Sequence, residues 1–69
     1  MINRLDKSGK HILVDDILLN LSNGKEYRVV FNEDILAYGI VDGTGFFDFM
    51  SDWVADEWEV IGRVIKYKD

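Results

Sequence analysis

Residues 29–62 hold eight carboxylates, Glu33, Asp34, Asp42, Asp48, Asp52, Asp56, Glu57 and Glu59, and no lysine or arginine. Carboxylates at this density serve three kinds of chemistry: oxygen coordination of a hard cation, proton transfer between paired acids, or a one-sign field that draws in cationic partners. The spacing decides among them. Calcium loops place carboxylates at alternating positions around a glycine turn, whereas Asp48, Asp52 and Asp56 recur every fourth residue and would form a row on a helix. The adjacent pairs Asp15-Asp16 and Glu33-Asp34 suit turns and strand breaks better than an acid/base pair. Nucleophilic chemistry fares no better. There is no cysteine, His11 is the single histidine, and no motif sets Ser8, Ser22, Thr44 or Ser51 beside it. Asp42-Gly43-Thr44-Gly45 lacks the spacing and lysine of a phosphate loop and the Asp-Thr-Gly order of an aspartic-protease turn. The sequence therefore assigns no catalytic residue, no metal ligand and no cofactor, and the expectation is a protein that is not an enzyme.

What remains is the field. Residues 29–62 sum to −8, while residues 1–28 sum to +1 and residues 63–69 to +2, giving the net −5. Such segregation attracts basic partners and repels nucleic acid and anionic membrane. Aromatic side chains are plentiful, but no basic residue interleaves with them in the middle of the chain, so direct nucleic-acid binding is not expected. Lys7, Lys10, Lys25, Arg28, Arg63, Lys66 and Lys68 read as balancing local acids. No apolar run approaches the roughly 18 residues of a membrane span, and the mixed polar start lacks the apolar stretch of a signal peptide. A cytoplasmic protein is expected.

The elements that must carry these residues are few. Sixty-nine residues allow a single core. Residues 1–10, ending in Ser8-Gly9, read as a flexible or turn-rich lead-in to one α+β domain over residues 11–69. Ser22-Asn23-Gly24-Lys25 separates two alternating apolar runs and suits a two-residue type I′ hairpin turn. A third strand is expected over residues 35–41, weakened by Gly39, and the incoming strand is expected to break or bulge at Asp15-Asp16. Thr44 is then expected to cap an amphipathic helix over about residues 46–56. At 100° per residue Phe46, Phe47, Phe49, Met50, Trp53 and Val54 share one face, with Asp48 and Asp52 opposite and Asp56 at its edge. From Trp58 the pattern alternates as a strand through Tyr67, with Gly62 at a bulge. The expected fold is one antiparallel or mixed sheet of about four strands, in the order β-hairpin, strand, helix, strand, with the helix packed on one face.

On that reading Asp48, Asp52, Asp56, Glu57 and Glu59 are the candidate partner-binding residues, because they are the densest part of the base-free segment. Stacked like charges cost a helix about 0.2–0.5 kcal/mol per pair, which nothing local relieves. The function expected is a small acidic protein-binding module, a stoichiometric inhibitor or regulator docking on the basic surface of a larger protein, such as one that handles nucleic acid. In size, charge and single-domain build the chain resembles the small acidic inhibitors encoded by phages, such as anti-CRISPR proteins and uracil-DNA glycosylase inhibitors; that resemblance implies an inhibitor acting as a nucleic-acid mimic. The alternative is a structural or assembly component whose sheet edges and aromatics, Phe49 or Trp58, pair with a partner strand or a second copy in a homodimer.

Overall fold

The computed structural model describes residues 2–50 and 53–64. Asp52, Ser51, and the strand positions expected at Ile65, Lys66 and Tyr67 lie outside the described residues. Among the described residues five strands, β1 (Asp16–Asn20), β2 (Glu26–Asn32), β3 (Ala37–Val41), β4 (Phe47–Phe49) and β5 (Trp58–Arg63), form one sheet in the spatial order β4-β3-β2-β1-β5. Every pairing is antiparallel. The first four strands are a meander, and the chain then passes through a 3-10 turn (Ala55–Glu57) to lay β5 beside β1.

The expected α+β fold is thus corrected to an all-β one with a fifth strand. Two features explain the missing helix. Gly43 and Gly45 both take positive φ, and the Asp42 carboxylate accepts the backbone N–H and the hydroxyl of Thr44 at 2.9 and 2.6 Å. Thr44 is therefore spent on a tight turn and caps nothing. That turn reverses the chain, so that Phe47 falls opposite Val41 and Phe49 opposite Gly39. Phe-Asp-Phe is aromatic and alternating, and it suits a pleated edge better than a helix that would have to bear stacked aspartates. The apolar face drawn for the helix does not exist: Phe46, Phe49 and Val54 are exposed, while Met50 is buried.

The β1–β2 connection is longer than two residues. Asn20 Oδ1 accepts the N–H groups of Ser22 and Asn23, and the Gly24 N–H donates to the Asn20 carbonyl at 2.8 Å. Gly24 alone takes positive φ, 73°, so the turn is not type I′, which needs it at both central residues. Asp15, φ 74°, breaks the chain before β1, and Ile12, Leu13 and Val14 lie outside any strand. Between β1 and β5 the register slips after Ile17, leaving Ile61 as an extra residue beside Gly62.

Strand alternation sorts the sheet into two faces. Leu18, Tyr27, Val29, Ile40 and Trp58 point inward and are buried with Ile2, Ile12 and Met50. Residues 2–12 supply part of this core. They fold back through a Leu5–His11 bridge and are pinned by Asp6, which is 3% exposed. One Asp6 oxygen accepts the Ser8 and Lys10 N–H groups, and the other accepts Val60 N–H at 3.0 Å, while Lys7 N–H donates to the Trp58 carbonyl. The arm thereby satisfies the free edge of β5 over Trp58 and Val60.

Candidate functional site

The outward face of the sheet carries the charge. Leu19 on β1 lies directly opposite Glu26 on β2 and directly opposite Glu59 on β5. One cross-strand row therefore reads Glu26, Leu19, Glu59, with the two carboxylate-bearing residues separated by about 10 Å, two interstrand steps. The ladder continues two residues on from Leu19 and Glu59, where the Leu21 N–H donates to the Glu57 carbonyl at 2.8 Å. Asp56 and Glu57 are exposed on the 3-10 turn, Glu26 is exposed, Glu59 is half-buried, and Leu21 is 39% exposed. Two leucines are thus bordered by four carboxylates at one end of the sheet. The nearest cation in sequence, Lys25, sits in the β1–β2 turn.

Of the residues expected from sequence, Asp56, Glu57 and Glu59 meet at this end. Asp48 does not join them. It lies on β4, at the opposite end of the strand order from β5, and its carboxylate accepts the N–H of Phe49 at 2.9 Å. The neighbouring Met50 N–H reaches back to the Tyr38 carbonyl, so by alternation the Phe49 N–H points off the sheet edge. Asp48 covers an edge donor that would otherwise invite another strand. The helical row of Asp48, Asp52 and Asp56 is therefore not formed, and Asp52 lies outside the described residues. The sequence alone does not mark Glu26, because its place near Glu59 depends on both flanking Leu19, which only strand pairing reveals.

The remaining acids have local work. Asp16 is buried, accepts the Leu13 N–H at 2.8 Å and faces Arg63 Nη1 at 3.8 Å. Burial alone would raise the Asp6 carboxyl, but the N–H groups of Val60, Lys10 and Ser8, with the Lys10 charge, outweigh it and hold the group below the usual carboxylate range. The Thr44 hydroxyl, followed by its N–H, lowers Asp42 likewise. Further along the outer face a shallow groove of about 340 Å³ runs beside Ile17, Arg28 and Val41, with Glu26 and Asp42 on its border.

Among the described residues no group of three or more metal-ligating side chains converges, and His11 is exposed beside Leu5. No helix among them is long and apolar enough to cross a membrane. Comparison of the chain with protein-family models, with curated proteins and with solved structures finds no match.

Proposed function

We propose that the protein is a small binding module whose acid-bordered end, Glu26, Leu19, Glu59, Leu21, Glu57 and Asp56, docks on a basic, apolar-pocketed surface of a larger protein and so regulates or inhibits it. The observation that carries the reading is the cross-strand row of Glu26, Leu19 and Glu59, flanked by Glu57 and Leu21. An apolar centre within a charged rim is the anatomy of a protein interface. Carboxylates so exposed contribute mainly by steering the encounter. The role is binding rather than catalysis, and a partner whose basic surface normally meets phosphate backbone, in a cytoplasm, fits the sign of the field.

The second reading, association through the β4 edge, is favoured by Phe49, 55% exposed, with Phe47 packed edge-on against it at 5.4 Å. It ranks lower because β4 is three residues long and Asp48 covers one of its outward donors.

The test is capture from a lysate by the immobilised protein and by Glu57→Lys combined with Glu59→Lys, at low salt and at about 0.5 M salt, where charges separated by more than a few ångströms are screened. A specific partner held by the parent at low salt is expected to be lost in the double variant and at high salt. Equal retention by parent and variant, or retention indifferent to salt, defeats the acidic-end reading.

A further inference from the structure

A second groove, of about 260 Å³, lies between the N-terminal arm and the start of the β3–β4 pair, lined by Ile2 and Arg4 of the arm and by Tyr38, Phe49 and Met50. Asn3 and Ala37 also line it, so among the described residues, in a chain of net charge −5, its lining holds one cation and no acid. The cation is fixed in place. Arg4 Nε donates to the Met50 carbonyl and Nη1 to the Asn3 carbonyl, each at 3.1 Å, which sets the guanidinium plane. A guanidinium presents five N–H donors, so the rest of the fork remains to receive a planar anion. Among the described residues Arg4 forms no ion pair. Phe49, largely exposed, and Tyr38, half-buried, also border the groove beside this held positive charge.

We propose that this groove captures the carboxy-terminal residue of a peptide that ends in an apolar or aromatic side chain, with the terminal carboxylate on Arg4 and the side chain against Tyr38, Phe49 and Ile2. The volume suits one side chain and little more. A terminal residue brings its carboxylate and its side chain from the same Cα into that space. An internal Asp or Glu cannot do this, because in an extended peptide its apolar neighbour points to the opposite side. The site is separate from the acidic end and stands or falls without it.

The test is a titration of the protein, followed by amide NMR, with three probes: acetyl-Gly-Gly-Phe with a free carboxylate, the same peptide as its C-terminal amide, and acetyl-Gly-Asp-Phe-Gly amide. The free acid is expected to give saturable shifts at Arg4, Tyr38, Phe49 and Met50 with millimolar affinity, and the two amides to bind at least about ten-fold more weakly. Arg4→Gln is expected to lose the preference for the acid, Arg4→Lys to keep part of it, and Phe49→Ala to weaken all binding, each with the remaining spectrum unchanged. If Arg4→Gln perturbs the arm, the Lys and Phe49 variants and the three probes still decide. Equal binding of acid and amide, equal binding of the internal-acid peptide, or no shift at these residues overturns the proposal.

Discussion

Asp6 shows how much of this molecule turns on one side chain. Its two oxygens accept three backbone N–H groups, two within its own loop and one from Val60, 54 residues away. An asparagine there must turn its NH2 toward at least one of those donors, leaving N–H facing N–H. Asp6→Asn is expected to cost about 1–3 kcal/mol at neutral pH, measured by urea unfolding. The pH dependence has a definite sign. The folded carboxyl lies below the ordinary value of about 4, so its contribution is complete above that value and fades as the pH falls through the folded one. The gap between parent and variant should therefore narrow on acidification from pH 7 toward about pH 3. A gap that stays constant over that span would mean that the ionised form is not what the three donors stabilise.

At the scale of elements, the β3–β4 pairing rests on a close approach that only glycine allows. The Phe47 ring lies over Gly39, and a Cβ at that position would collide with the ring edge and with the Asp48 carbonyl oxygen at 2.5 Å. Gly39→Ala is expected to destabilise the domain by about 1–3 kcal/mol. Part of that cost should vanish in a Phe47→Ala background, a coupling that chemical denaturation of the four proteins measures. A neutral Gly39→Ala would place the ring elsewhere. In the sequence Gly39 reads only as a weakness in a strand, because what covers it comes from another strand. The same limit separates the legible elements from the others. The hairpin around Asn23-Gly24, the strand from Trp58 and the irregularity near Gly62 are written in local residues, and β1, β2 and, over residues 58–63, β5 stand close to where those residues place them, though the turn between β1 and β2 is longer than expected. The region of residues 46–56 is not, since three alternating residues, Phe47-Asp48-Phe49, also fit a helical apolar face, and the pairing with β3 settles the matter. For the candidate site, Asp56, Glu57 and Glu59 could be found from the missing cations; Glu26 needed the register, and Asp48 needed the knowledge that β4 is an edge.

For the molecule as a whole, the charge is unevenly spread over a small surface, and its two consequences run in opposite directions with salt. Self-repulsion among the carboxylates of the acidic end opposes compactness, so raising the ionic strength from about 0.01 to 0.15 M should raise the stability by up to about 1 kcal/mol. The same change should weaken steered binding of a basic partner. Thermal unfolding against salt checks the first part: a midpoint that falls would mean that attractive pairs, such as Arg63 with Asp16, dominate the balance.

The return of β5 to the side of β1 also sets the order of events when the chain is made. Val64 N–H closes on the Asp15 carbonyl, Val60 N–H on the Asp6 carboxylate and Lys7 N–H on the Trp58 carbonyl, so the start of the chain is completed in part by residues 58–64. A ribosome adding residues in sequence can assemble the meander early, yet Ile12 and Leu18 cannot be fully shielded until residues 58–64 have cleared the exit tunnel. Those contacts between distant parts of the chain are the slow ones to form. Until they do, the nascent protein presents the very β1 edge that the finished molecule hides, an unpaired edge open to another chain.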